Sequence, residues 1–158
     1  MAIRNTAKAL IVSEDKIFVN RCVTQAGEVY YDLPGGGQHM METMEEAVVR
    51  EVQEETGYQV RVVRFAALAE EINDCLKESE YSEYAHRIIN IFQVELKDKQ
   101  AVEPAEMDFQ QIESVWLGLE EADKAEFLPE HLSGRISQLV RSEAPQYLGC
   151  VHTKEWHV

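Results

Sequence analysis

The sequence has few of the features that mark disulfide-rich, zinc-binding or membrane-spanning proteins. It contains three cysteines, widely spaced and without a CxxC pair or a histidine cluster, so neither a disulfide framework nor a zinc site is expected. No apolar run approaches the roughly 20 residues of a transmembrane helix, and no secretory leader is recognisable. The protein is therefore expected to be cytoplasmic, with its thiols reduced.

Positive charge is also scarce, since 15 lysine and arginine residues stand against 29 acidic residues and give a net charge of −14. Such an acidic surface repels nucleic-acid backbones and anionic membranes, so we expect no nucleic acid and no membrane among the partners. It also repels a free polyphosphate. A site for such a substrate needs a local metal ion or a few well-placed arginine and lysine side chains.

The pattern of apolar residues predicts one α/β domain over residues 1–158. Strands are predicted at residues 3–13, 17–23, 29–33, 59–71, 85–96 and 114–117, and helices at residues 44–56, 119–122 and 132–142. Residues 73–84 are predicted to form a loop between two paired strands, and the tail from residue 144 has no assignment. The commonest arrangement of such elements is a mixed sheet with helices on both faces, an α/β/α sandwich.

The stretch after the third predicted strand carries the most informative pattern. Pro34 and the glycines at positions 35–37 predict a turn that admits close approach of other groups to the backbone. Thr43 and Glu46 have the spacing of a capping box, which predicts a helix that begins just after Thr43. Gly57 supplies the stop of this helix.

Three carboxylates share one face of that helix, because Glu51, Glu54 and Glu55 are spaced at i, i+3 and i+4. Like charges so close repel unless a cation lies among them, and Arg50 is positioned to pair with one of the acids. Carboxylate oxygens suit Mg²⁺ or Mn²⁺, and Mg²⁺ is commonly shared between carboxylates and substrate phosphates. An isolated acidic cluster would more often be a solvated surface. The glycine turn and the arginine favour a metal site here.

The same stretch, residues 35–58, resembles the Nudix box. Every glycine and charged position of that pattern is filled, by Gly36, Glu42, Arg50, Glu51, Glu54, Glu55 and Gly57. Tyr58 departs from it, since the last position usually carries an aliphatic residue. The chain thus resembles the Nudix hydrolases, which cleave nucleoside diphosphates linked to another moiety and have an α/β/α sandwich fold. The resemblance is specific over about two dozen residues and architectural over the rest.

The resemblance implies that a water molecule attacks a phosphorus of the pyrophosphate while Mg²⁺ or Mn²⁺ ions hold the phosphate oxygens. Carried over position by position, Glu51, Glu54 and Glu55 are the expected metal ligands. The backbone carbonyl of Gly36 is a further candidate, and Arg50 is expected to orient the acidic cluster. The predicted catalytic residues are Glu54, Glu51 and Arg50.

Two assignments stay open within this interpretation. The general base is expected to be Glu54, but later acidic residues are alternatives, namely Glu103, Glu106, Asp108 and Glu113. Substrate contacts are expected from Arg21, Gly36 and Gly37, although Arg21 is equally compatible with an ordinary surface position. Glu42 is interpreted as a structural residue that supports the site.

The substrate itself is not predicted beyond a small nucleotide-type molecule. The chain lacks the downstream proline of ADP-ribose hydrolases and the downstream signals of two other Nudix subgroups. A catalytically silent nucleotide sensor of the same fold is the alternative function, and an isopentenyl-diphosphate isomerase-like enzyme ranks last because its Cys and His ligands cannot be placed. A homodimer is expected only from the habit of the family.

Overall fold

The computed structural model describes residues 2–98 and 111–154, which form a mixed eight-stranded sheet with helices on both faces. The strands are β1 (Arg4–Ser13), β2 (Lys16–Val23), β3 (Val29–Asp32), β4 (Gly35–Gly37), β5 (Val60–Asn73), β6 (His86–Leu96), β7 (Gln111–Gly118) and β8 (Gln146–Thr153). The helices are α1 (Met44–Thr56), α2 (Leu119–Ala122) and α3 (Ile136–Arg141). The predicted α/β/α sandwich is confirmed.

The strands lie in the order β3-β2-β1-β6-β5-β8, with β4 paired to β1 and β7 paired to β2. Pairing of β1 with β6 and of β5 with β8 is parallel, whereas the other pairs are antiparallel. Strands β5 and β6 enclose the predicted loop, which contains two short 3₁₀ turns, Asp74–Leu76 and Ser82–Tyr84. Within the described residues, no helix is long and apolar enough to cross a bilayer.

Each face of the sheet has its own hydrophobic core, because successive side chains of a strand point to opposite faces. On one face, Ala9 and Ile11 of β1 pack in a cluster with Val48 and Val52 of α1. On the other face, Leu10 packs in a cluster with residues of α2 and α3. The sheet therefore fixes the position of α1, the helix that carries the box carboxylates.

Helix α1 has the predicted boundaries because its signals are local. The hydroxyl of Thr43 accepts a hydrogen bond from Glu46 N, and the carboxylate of Glu46 accepts one from Thr43 N, which completes the capping box. At the other end, Gly57 adopts the left-handed conformation with φ 71°. A residue with a side chain is strained there, so glycine ends the helix cleanly.

Replacement of the capping residue should destabilise the protein without touching the carboxylate face of α1. We expect Thr43→Ala to lower the free energy of unfolding by about 1 kcal/mol, because the N–H of Glu46 loses its partner. Thr43→Ser retains a hydroxyl and should stay close to the wild type. Urea unfolding at neutral pH measures the difference, and equal losses in both variants would rule out the capping contribution.

Three elements differ from the prediction. The glycine segment is a short strand rather than only a turn, since glycines have no side chains to reveal a strand pattern. The unassigned tail forms β8, which pairs with the edge of β5. The last helix was predicted too long: a 3₁₀ turn at Glu130–Leu132 is separated from α3 by Gly134, whose φ of 74° breaks the helix.

Candidate active site

The charged residues of the box are gathered around the guanidinium of Arg50. Its Nε and Nη2 donate to the two carboxylate oxygens of Glu42 at 2.7 and 2.9 Å. Its Nη1 donates to Glu51 at 2.8 Å and to Glu54 at 3.0 Å, and its Nη2 also donates to the Gly37 carbonyl at 3.0 Å. The predicted pairing of Arg50 with the acids is confirmed, and one cation holds three carboxylates together.

The electrostatics of this group follow from the two-pronged contact between Arg50 and Glu42. The hydrogen bonds from Arg50 lower the pKa of Glu42 from 4.5 to about 2, and the Glu42 carboxylate raises the pKa of Arg50 further. Both side chains are largely buried, with 21% of Arg50 and 14% of Glu42 exposed. Since His39 N also donates to Glu42 at 2.9 Å, Glu42 joins the preceding loop to the helix, as its interpretation as a structural residue requires.

Stability should depend on pH through Glu42. A folded-state pKa of about 2 against an ordinary 4.5 means that this ion pair stabilises the protein above pH 4.5 and that the contribution is lost as the pH falls toward 2. We expect the wild type to lose about 2–3 kcal/mol more than Glu42→Gln over this interval. Unfolding by urea at several pH values measures both proteins. Parallel curves for the two would contradict the prediction, and Glu45→Gln, which changes an exposed acid in the first turn of α1, is the control.

Strand β4 brings its glycines into contact with charged side chains. A Cβ atom on Gly36 would lie 2.5 Å from Glu51 Oε2, and one on Gly37 would lie 2.6 Å from Arg4 Nη2. Successive residues of a strand face opposite sides, so Glu51 and Arg4 approach β4 from opposite faces. A larger residue at either position would displace the charged group that lies against it.

The backbone groups of β4 alternate in direction, as in any antiparallel pair. The hydrogen bonds on either side place Gly36 in a bonded pair with Ala7, so the Gly36 carbonyl is directed toward β1. The backbone N–H and C=O groups of Gly35 and Gly37 point away from β1, toward helix α1. The N–H of Gly35 donates to Glu55 Oε2 at 3.0 Å. Of Gly36 and Gly37, it is therefore Gly37 whose carbonyl is directed at the box side chains, where it accepts from Arg50.

The third box carboxylate, Glu55, is buried and held by a network that the sequence did not reveal. Its Oε2 accepts from Asn20 Nδ2 at 3.3 Å, and Asn20 Oδ1 accepts in turn from Ser114 at 2.9 Å and Gln111 at 3.2 Å. Asn20 is 1% exposed. The signal in the sequence was a polar residue inside the apolar strand β2, on the same face as Phe18.

Other predicted residues lie apart from this group or outside the described residues. Arg21 points to the opposite face of β2 from Asn20 and pairs with Glu113 at 3.3 Å. Glu113 is thus an ion-pair partner on β7, with 52% of its side chain exposed. The remaining candidates for a late general base lie outside the described residues, namely Glu103, Glu106 and Asp108. Among the residues that the structure describes, no three acidic, His or Cys side chains form a ready metal cluster.

Tyr58, the one departure from the box pattern, is explained by an aromatic cluster. Its ring meets Phe18 edge to face at 5.3 Å between centroids, and Phe18 meets Trp116 at 5.2 Å. Edge-to-face contacts of this kind stabilise a core beyond the burial of area. The cluster fixes the end of α1 against β2 and β7.

Comparison with known proteins agrees with the fold. Among solved structures, the chain is similar to a NUDIX hydrolase from Nitrosomonas europaea, at 15% identity and a TM-score of 0.70, over 97% of this chain and 81% of that one. It is also similar to an ADP-ribose pyrophosphatase from Streptococcus suis, at 21% identity and a TM-score of 0.59, over 92% and 99%. A UDP-X diphosphatase matches at 18% identity and a TM-score of 0.65, over 93% and 67%.

A search of curated protein sequences found no match. The model of the NUDIX domain matches residues 2–136, which include the complete box and most of both cores. The described carboxylates, the glycine strand and the arginine occupy the positions that the box requires. The chain therefore belongs to the NUDIX domain family.

Proposed function

We propose that this protein is a metal-dependent hydrolase that cleaves the pyrophosphate of a nucleoside diphosphate linked to another moiety. The observation that carries the proposal is the complete carboxylate set of α1. Arg50 binds Glu51 and Glu54, and the N–H of Gly35 in strand β4 binds Glu55. Domains of this fold that only bind a nucleotide have usually lost one of these glutamates. Here all three glutamates are present. Glu51 and Glu55 lie against the glycine strand β4, and Glu54 pairs with Arg50.

The donor set fits Mg²⁺ or Mn²⁺, because it consists of carboxylate and carbonyl oxygens. Glu51 and Glu54 would hold the ion with Glu55, and the Gly37 carbonyl is the nearby backbone donor on the same side of β4. When bound, the ion would neutralise charge on the phosphate oxygens and lower the pKa of a bound water. The chain has a net charge of −14 and repels an anionic substrate, so a bound cation would also reduce this repulsion at the site.

The residues of this chain then divide into two groups. Glu54 is the accessible acid, with 39% of its side chain exposed, and we assign to it the role of general base or metal ligand. Glu42 and Arg50 hold the carboxylates in place, since the contact between these two side chains is short and largely buried. Asn20 holds the buried Glu55 and so fixes the end of the helix that faces Gly35.

Two of the similar structures support a substrate class. Their descriptions name ADP-ribose and UDP-X as substrates, and both compounds are nucleoside diphosphates joined to a second group. We propose the same general class here. A silent nucleotide sensor is the second candidate, and the intact carboxylate set is the observation against it.

Product release from a substrate panel with Mg²⁺ or Mn²⁺ tests the proposal. The panel holds dNTPs, ADP-ribose, nucleotide sugars, dinucleoside polyphosphates, CoA and NADH, and each reaction is repeated with EDTA. We expect metal-dependent release that is confined to one class of substrate. Nucleotide binding without turnover of any substrate would favour the sensor, and turnover unaffected by EDTA would contradict the role of the metal.

A further inference from the structure

A second arginine contacts the glycine strand from the face opposite the box carboxylates. The guanidinium of Arg4, from the start of β1, lies so close to Gly37 that a Cβ there would be 2.6 Å from Nη2. On the other side, the carbonyl of the same glycine accepts from Arg50. Gly37 therefore lies between two guanidinium groups, and neither the resemblance to the box nor the spacing of the sequence indicated Arg4.

The two arginines differ in how firmly their charge is engaged. Arg50 makes five contacts of 2.7–3.0 Å, and the three carboxylates it holds outweigh its single charge. Among the described residues, Arg4 has one ion-pair partner, Glu83. Their N–O distance of 3.7 Å is longer than a hydrogen bond, and the Glu83 side chain is 62% exposed. Such a surface pair contributes little and can be exchanged for a stronger partner.

The position of Arg4 is nevertheless well defined. Its Cζ lies 4.7 Å from the centroid of the Tyr84 ring, a cation–π contact within the usual range. Tyr84 and Glu83 both belong to the 3₁₀ turn Ser82–Tyr84 in the loop between β5 and β6. The guanidinium is thus held over Gly37 by a ring, while 32% of the side chain remains exposed to solvent.

From these contacts we infer that Arg4 binds oxygens of the substrate diphosphate where it meets strand β4, and that the phosphate replaces Glu83 as its partner. The inference rests on the proposed function. A planar guanidinium suits phosphate because it can donate two parallel hydrogen bonds. The carboxylate side of β4 carries excess negative charge, so a cation on the other face gives the diphosphate a contact that the acids cannot supply. Arg4 is therefore a substrate-binding residue and acts on binding more than on the chemical step.

Three variants separate this role from a structural one. Arg4→Ala should raise KM about 10- to 100-fold with less than about a threefold change in kcat, since a charge-assisted contact is lost. Arg4→Lys keeps the positive charge but not the planar guanidinium with its two parallel donors, so its KM should lie between those of the wild type and Arg4→Ala. Glu83→Gln removes the competing acid and should lower KM about twofold. Arg61→Ala is the matched control, because it deletes an equal charge from a side chain that is 69% exposed.

The same variants are tested for binding of α,β-methylene-ADP with Mg²⁺, since its bridging carbon prevents hydrolysis. A dissociation constant raised at least about tenfold in Arg4→Ala but unchanged in Arg61→Ala supports the inference, even if the wild type hydrolyses nothing. Wild-type turnover with an unaltered KM and dissociation constant in Arg4→Ala overturns it and leaves the hydrolase proposal intact. A wild type that does not bind the analogue also overturns it, as does a KM effect equalled by Arg61→Ala.

Discussion

Glu54→Gln is expected to lower kcat by at least about 100-fold while the protein stays folded. The substitution keeps the shape of the side chain and removes one negative charge from the group that would hold the metal ion. The cost in stability should be within about 1 kcal/mol, because the carboxylate is 39% exposed and its ion pair with Arg50 spans one helical turn. Initial rates at saturating Mg²⁺ and thermal unfolding of the same preparation measure the two effects separately.

A matched control lies on the same helix. Glu45→Gln makes the same chemical change in the first turn of α1, where Glu45 is exposed and lies near the positive end of the helix dipole. Its kcat should stay within about twofold of the wild type. If Glu54→Gln retained full turnover at matched stability, the assignment of the carboxylate set as the catalytic centre would be wrong. Loss of activity in both variants would point to a general effect of charge.

The second large effect concerns stability. Arg50→Gln should lower the free energy of unfolding by about 3 kcal/mol, because Glu42 and Glu51 would be left largely buried without their cation. Arg50→Lys should lose less, since the charge remains although the two-pronged contact with Glu42 cannot form. Urea unfolding at pH 7 measures each loss. Activity should fall in both variants, because the carboxylates lose their common partner.

A double-mutant cycle distinguishes this explanation from a loss of packing. Removal of Glu42 together with Arg50 eliminates part of the unpaired charge, so the double variant should be more stable than the sum of the single losses predicts. A coupling free energy of about 1–3 kcal/mol is expected for partners at 2.7 Å. Strict additivity would show that Arg50 stabilises the protein through its hydrocarbon stem, not through its charge.

The parts of the fold that were predictable are those with local causes. Helix α1 begins and ends as predicted because its capping box and Gly57 lie within or beside it. The pairing of Arg50 with Glu54 follows from their spacing of one helical turn. The contact between Asn20 and Glu55 joins residues 35 positions apart and depends on how α1 packs on β2, which no local pattern encodes.

Features that depend on strand register were not predictable for the same reason. The pleat of β2 directs Arg21 away from α1, and a shift of one residue in a strand would reverse the face. Its contact with a substrate phosphate stays a prediction. The direction of the Gly36 carbonyl depends on its register with Ala7 across β1 and β4. Arg4 lies 33 residues from Gly37 in the chain, and only the pairing of those strands brings them together.

Strand β8 follows the region matched by the family model and pairs with β5 from Ala67 to Asn73. It carries none of the box residues. Without it, β5 would offer a row of unsatisfied backbone donors and acceptors, the kind of edge on which other chains assemble. A protein shortened before Gln146 would keep the whole carboxylate centre and yet tend to aggregate. With β8 in place the outer strand of the sheet has 8 residues, whereas β5 has 14, so the edge that the sheet leaves open is shorter.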